Sequence, residues 1–122
     1  MITATQTRAA VAALQVELVE TPQAVVARLI GEGGVMAADA LQFSLLGLSA
    51  KRPALVVFDL AQLVFVASLV MGALVTFRRG VVRNGGKVKL AGLKPDVLEA
   101  FRTARLDELF EISESVDDAL TP

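Results

Sequence analysis

Residues 54–83 read ALVVFDLAQLVFVASLVMGALVTFRRGVVR, and we expect the fold to be organised around them. The stretch opens with the apolar run 54–58, which Asp59 ends. A continuous apolar run predicts a strand buried on both faces, as in the middle of a parallel sheet. A parallel neighbour needs a crossover, usually a helix, and residues 69–83 carry polar side chains at helical spacing. Residues 87–90 then supply the next strand.

Two strands and a helix are predicted upstream of this stretch. Apolar and polar residues alternate from Leu14, which predicts a half-buried strand, and a turn at Pro22 leads into a second strand at residues 25–30. These two strands form a predicted hairpin. Residues 35–48 have helical length and are apolar nearly all round, so we expect a helix covered on more than one side. Such a helix is also compatible with a homodimer or partner contact.

The remaining elements complete a mixed α/β domain. Residues 96–106 show the 3-4 apolar spacing of a helix, residues 109–112 indicate a short strand or packed turn, and Ser115 opens a capping-box pattern before a last helix. The order is ββαβαβα plus a short C-terminal strand and helix. It predicts α/β architecture, with a single mixed β-sheet of four to five strands and helices packed against it. We expect the domain at residues 13–122, behind a flexible tail at residues 1–12.

Composition limits the classes of function. The chain has 122 residues, 54% of them apolar and 20% charged, as expected of one soluble domain. A net charge of −1 gives no reason to expect nucleic acid or an anionic membrane as partner. Cys, His, Trp and Tyr are absent, so disulfides, thiol chemistry and the commonest general base and zinc ligand are missing. We therefore predict a cytoplasmic protein that is not an enzyme, with no cofactor and no metal.

Membrane insertion is not expected either. The longest apolar segment, residues 63–77, falls short of the roughly twenty residues that a spanning helix requires. Extending it upstream brings in Gln62 and then Asp59, whose charge is costly in lipid.

Several segments, taken in order, carry a resemblance to a known family. They are Gly31-Glu32, VVFDL at residues 56–60, GGKVKLAGL at residues 85–93, LDELF at residues 106–110 and SVDDAL at residues 115–120. They resemble a STAS domain of the anti-sigma factor antagonist type, a family also found on sulfate transporters. The resemblance covers residues 14–120. It implies a non-enzymatic domain that docks a protein partner, either an anti-sigma factor or a serine kinase-like regulator.

The resemblance also implies a phosphoacceptor. In the family, the loop before the crossover helix reads Asp-Ser-Ser-Gly followed by Leu and Gly, and a partner kinase phosphorylates the first Ser. Here the run is ASLVMG: Ser68 takes the phosphoacceptor position and Gly72 the second glycine, whereas Ala67, Leu69 and Val70 depart from the pattern. A phosphate there would lie at the positive end of the helix. A hydroxyl that simply caps the helix explains this serine without any switch, and the residues alone favour that interpretation. A nucleophilic role is disfavoured because no His is present to act as base.

The crossover helix carries a stripe of small and polar residues at spacings of four and three. Its members are Ser68, Gly72, Thr76, Arg79 and Arg83. We predict that this stripe faces outward and that it docks the partner together with the loop at residues 66–70, with contacts from Gly72, Thr76 and Arg79. Leu69 and Met71 flank its start and are expected to add exposed apolar area.

Two other functions stay open at this point. The first is a STAS-like scaffold or complex subunit that has lost the phosphoswitch, which the departures around Ser68 favour. The second is a small-molecule module for a nucleotide or lipid, built from the glycines near Gly33 and the arginines Arg78, Arg79 and Arg83.

Overall fold

The computed structural model describes residues 3–8 and 14–121, with side chains from residue 14 onward. The strands are β1 (Thr3–Arg8), β2 (Leu14–Glu20), β3 (Val25–Gly33), β4 (Leu55–Asp59), β5 (Leu63–Val66), β6 (Lys87–Ala91) and β7 (Glu111–Ser113). The α-helices are α1 (Ala38–Ser49), α2 (Ser68–Arg83), α3 (Pro95–Thr103) and α4 (Val116–Leu120). Short 3-10 turns cover Val35–Ala37 and Leu106–Glu108.

One mixed sheet forms the framework, in the strand order β1-β2-β3-β4-β6-β7. The first three strands pair antiparallel, which confirms the predicted hairpin, and β3, β4, β6 and β7 run parallel. The remaining strand, β5, lies outside this order and pairs in parallel with the end of β3, with Gly33 opposite Val66. The single mixed sheet is confirmed. It has more strands than the four to five predicted, because β1 and β5 were not expected.

The unexpected strand β1 lies where the sequence indicated a loose tail over residues 1–12. It pairs antiparallel with β2, with Thr3 opposite Val19 and Arg8 opposite Gln15. Threonines alternate along TATQTR, and their branched Cβ atoms favour extended backbone. The rest of the predicted tail lies outside the described residues, so the domain boundary at residue 13 stays a prediction.

Strand β4 lies at the centre of the sheet, as its apolar run predicted. Val56, Val57 and Phe58 are fully buried. Val56 and Phe58 pack with α1, α2 and α3 on one face, where the Phe58 and Phe77 rings meet edge to face at 5.6 Å. Val57 packs with Ala119 of α4 on the other face. Both faces of the sheet are therefore covered at this strand, which explains its lack of alternation.

Helix α1 differs from the expectation of burial on more than one side. Its buried residues are Ala38, Leu41, Leu45 and Leu48, all on one face. On the opposite face, Phe43 is 77% exposed and Leu46 is 70% exposed. The expectation was wrong because α1 packs against the sheet and α2, and no other described element covers its outer face.

The C-terminal elements follow the prediction with one shift. Helix α3 ends at Thr103, and Arg105, at φ 61°, takes the left-handed conformation that stops it before residue 106. The Ser115 hydroxyl accepts a hydrogen bond from the Asp118 N–H at 3.1 Å, as the capping pattern predicted for α4. No helix within residues 14–121 is long and apolar enough to cross a membrane.

Candidate docking surface around Ser68

The loop that carries Ser68 is held against the end of β3. The Ala67 N–H donates to the Gly33 carbonyl at 2.7 Å, which continues the β5 pairing up to the first turn of α2. The two segments approach so closely that a Cβ atom on Gly33 would lie 3.0 Å from the Phe65 carbonyl oxygen. The start of α2 is thus fixed by backbone contacts rather than left as a free loop.

Ser68 is the first residue of α2, and its side chain does not cap the helix. The N-cap is Ala67, with φ −86° and ψ 160°, and its carbonyl accepts hydrogen bonds from the N–H groups of Val70 and Met71. The Ser68 side chain is exposed and forms no hydrogen bond with any described residue. The capping interpretation of Ser68 is therefore wrong, because an alanine occupies the capping position one residue earlier.

The predicted phase of α2 is confirmed. The outward stripe is exposed at every position: Ser68, Gly72, Thr76, Arg79 and Arg83. The residues on the opposite face are buried: Val70, Ala73, Leu74, Phe77 and Val81. The amphipathic spacing alone therefore identified which face of this helix contacts solvent.

The two apolar residues that flank the stripe differ in their burial. Leu69 is 57% exposed, as expected, whereas Met71 is only 7% exposed and belongs to the core. The prediction that Met71 adds exposed area beside Ser68 is therefore wrong. Met71 lies one turn before the buried Leu74 and belongs to the same core cluster as Ala37, whose turn contacts α2. Met71 thus contributes to packing.

Other exposed apolar residues lie on the segments that adjoin or contact α2. We define the apolar patch as Val35, Met36, Phe65 and Leu69, which are all more than half exposed. The turn that carries Val35 and Met36 contacts α2, and the Phe65 ring lies 4.0 Å from the position of a Cβ on Gly34. The patch thus joins three segments that meet only in the fold. Phe65 reaches the patch because β5 pairs with β3, and no sequence pattern predicted that pairing.

The charges near the patch are few. The first turn of α2 contains no acidic residue, and the exposed Glu32 lies opposite Phe65 in the sheet register. Asp59 is engaged elsewhere, because its carboxylate accepts from the Ala61 N–H at 3.1 Å and pairs with Arg28 at 3.3 Å. Within residues 14–121, no three acidic side chains cluster closely enough to hold a metal ion.

With this geometry in place, the comparison with protein families is decisive. The STAS domain model matches residues 15–119. The chain belongs to the STAS domain family. Members of its anti-sigma factor antagonist branch are generally non-enzymatic. A comparison with curated protein sequences gives no match.

Solved structures agree with this assignment of the fold. An anti-sigma factor antagonist from Mycobacterium paratuberculosis matches with a TM-score of 0.81 at 21% identity, over 88% of this chain and 91% of that chain. The Bacillus cell fate determinant SpoIIAA in its phosphorylated form matches with a TM-score of 0.68 at 20% identity, over 88% and 96%. A sulfate transporter family protein from Wolinella succinogenes matches with a TM-score of 0.71 at 18% identity, over 84% and 85%. At these identities the likeness shows the STAS fold alone.

The glycines and arginines that suggested a small-molecule site lie far apart in the structure. Gly33 is buried beside the start of α2, whereas Arg79 and Arg83 lie in its last turns. At 1.5 Å per residue, Arg83 is about 22 Å along the helix from Ser68. A nucleotide or lipid site that combines the glycines near Gly33 with these arginines is therefore inconsistent with the structure.

Proposed function

We propose that this STAS domain docks a protein partner through Ser68 and the apolar patch, as an anti-sigma factor antagonist docks its regulator. The observation that carries the proposal is the free Ser68 hydroxyl, exposed on the first turn of α2, together with the exposed apolar side chains on the segments that adjoin or contact this helix. The partner would be an anti-sigma factor or a serine kinase-like regulator. Gly72, Thr76 and Arg79, further along the exposed stripe, would extend the contact.

The apolar patch would supply much of the affinity. Large apolar side chains that stay exposed in a folded domain mark sites of protein contact when they lie together. Burying the exposed part of the Leu69 side chain is worth about 1 kcal/mol at the usual value per unit area. We expect Leu69→Ala to weaken partner binding about fivefold.

Phosphorylation of Ser68 would switch this contact off. A phosphate adds close to two negative charges, and the N–H groups at the start of α2 would donate hydrogen bonds to its oxygens without disturbing the helix. Because the hydroxyl holds no structural hydrogen bond, the domain would tolerate the modification. Docking an apolar surface would then require desolvating that charge, which is costly. The free and modified forms would thus differ in affinity but not in fold.

Partner capture tests the switch. The tagged domain serves as bait in a lysate of its own cells, as wild type, Ser68→Ala and Ser68→Asp, with Gln23→Glu as a control that adds charge in the distant β2–β3 turn. We expect wild type, Ser68→Ala and the control to retain one partner that Ser68→Asp loses. Retention of the same proteins by all four baits would refute the switch.

A second candidate is a scaffold or complex subunit without a phosphoswitch. The observation that favours it is Leu69, which places an exposed apolar side chain where the family pattern has a second serine. Incubation with purified anti-sigma factor kinases and Mg·ATP, followed by intact-mass measurement, separates the two functions. A phosphate on Ser68 supports the switch. An unmodified domain that still binds its partner through Leu69 supports the scaffold.

A further inference from the structure

A groove of about 490 Å³ runs between α1 and α2, away from Ser68. Its floor is apolar and buried, formed by Leu45, Ala73 and Phe77. Leu46 forms part of its wall, and Arg79 and Arg83 lie at the end where α2 terminates. The groove therefore combines an apolar trough with a cationic end.

The apolar surface continues outside the groove along α1. Phe43 and Leu46 are the two most exposed large apolar side chains among the described residues, at 77% and 70%. A small ligand is normally held in a site that buries most of its surface. A groove with one wall so exposed would leave much of such a ligand in water. A longer amphipathic segment would cover both the trough and these two side chains.

The charge on helices α1 and α2 indicates which kind of amphipathic segment would bind the groove. Neither Arg79 nor Arg83 lies within ion-pair distance of a carboxylate in residues 14–121. Helices α1 and α2 together contain three arginines and only one acidic residue, Asp39, so they carry a net +2 on a chain whose net charge is −1. A complementary partner is acidic at the end that meets these arginines.

One helical glycine that lines the groove, Gly80, is not required by the fold. A Cβ atom on Gly80 would meet only the Ser49 hydroxyl at 3.9 Å. Glycine inside a helix destabilises it by roughly 1 kcal/mol relative to alanine. The free domain therefore gains nothing from this glycine, whereas the backbone of a docked helix could approach closely over it.

A second copy of this chain fits the groove poorly. In a two-fold dimer both subunits present the same surface, so an axis through the groove would bring Arg79 and Arg83 close to their own copies. Like charges facing each other across an interface oppose association. The charge pattern thus favours a different protein.

We propose that the α1–α2 groove binds an acidic amphipathic helix of a partner protein. The apolar side of that helix covers Leu45, Phe77 and Leu46, and its carboxylates pair with Arg79 and Arg83. This is a second contact surface beyond the proposed Ser68 docking, at the other end of α2. Because Thr76 and Arg79, which line the groove, are also among the residues assigned to the Ser68 docking contact, the test relies on Leu46 and Arg83, which are not.

Titration with synthetic helices tests the proposal. The probe is an amphipathic peptide of about 18 residues with leucine on one face and glutamate on the other, compared with the same peptide carrying lysine. In ¹H–¹⁵N spectra of the domain, we expect the glutamate peptide to shift the amides of Leu46, Gly80 and Arg83, and the lysine peptide to shift none. Arg83→Glu and Leu46→Glu should each weaken binding about tenfold, whereas Arg102→Glu on α3 should not change it.

Four results would overturn the proposal. The first is that the glutamate peptide does not bind, and the second is that the shifts centre on Ser68 instead of the groove. The third is that decanoate alone produces the same groove shifts. The fourth is that the wild type self-associates and Leu46→Glu abolishes this self-association. The last two would assign the groove to an anionic amphiphile or to a second copy. None of these variants alters Ser68 or the apolar patch, so failure here leaves the Ser68 docking separately testable.

Discussion

A capping side chain introduced at Ala67 should stabilise the domain, whereas removal of the Ser68 hydroxyl should leave its stability unchanged. Ala67 has the extended N-cap conformation but no side-chain oxygen, and the first turn of α2 lacks a side-chain cap. Ala67→Asp should therefore supply an acceptor for an N–H of Leu69 or Val70 and stabilise the domain by about 1 kcal/mol. Ser68→Ala removes no hydrogen bond and should change the free energy of unfolding by less than about 0.5 kcal/mol.

Urea unfolding measures both effects. For a domain of this size the slope m is about 2 kcal/mol/M, so 1 kcal/mol moves the midpoint by about 0.5 M. We expect Ala67→Asp to raise the midpoint by that amount at unchanged m, and Ser68→Ala to leave it in place. A loss of about 1 kcal/mol in Ser68→Ala would refute the reasoning, because it would mean that the Ser68 hydroxyl caps the helix and is not free for regulation.

Three further predictions concern packing. Gly86→Ala should destabilise by more than about 2 kcal/mol, because its Cβ would lie 2.6 Å from the Pro53 carbonyl oxygen; thermal unfolding checks this. Gly72→Ala should instead stabilise by roughly 0.5–1 kcal/mol in the same assay, since its Cβ meets nothing within 4 Å and a helix favours alanine. Phe77→Ala should cost about 3–5 kcal/mol in urea unfolding, because it leaves a cavity beside Phe58; an effect below 1 kcal/mol would contradict the buried ring contact.

The centre of the fold was predictable from local pattern. A buried parallel strand needs apolar side chains on both faces, and a crossover helix needs one apolar stripe. The apolar composition of β4 and the apolar spacing of α2 therefore predicted both elements. The outward stripe of α2 followed from the same spacing. These features depend on each element's own periodicity, which is fully present in the sequence.

Features that depend on neighbouring elements were not predictable. Met71 reads as an exposed residue beside the stripe, and only the turn at Val35–Ala37 and the core beneath explain its burial. Phe43 and Leu46 read as core residues, because an apolar side chain does not reveal whether anything covers it. Which residue is the N-cap depends on whether α2 begins at Ser68 or one residue later. Sequence patterns locate helix ends only to within a residue or two.

If the Ser68 surface is a phosphorylation-sensitive docking site, modification of Ser68 must abolish partner binding, and a binding titration measures this. The partner retained by wild type is purified and titrated by calorimetry against the unmodified domain, the Ser68-phosphorylated domain and Leu69→Glu. The account predicts tight binding to the unmodified domain, with binding lost both on phosphorylation and on substitution of Leu69. Equal affinity for all three forms would contradict it.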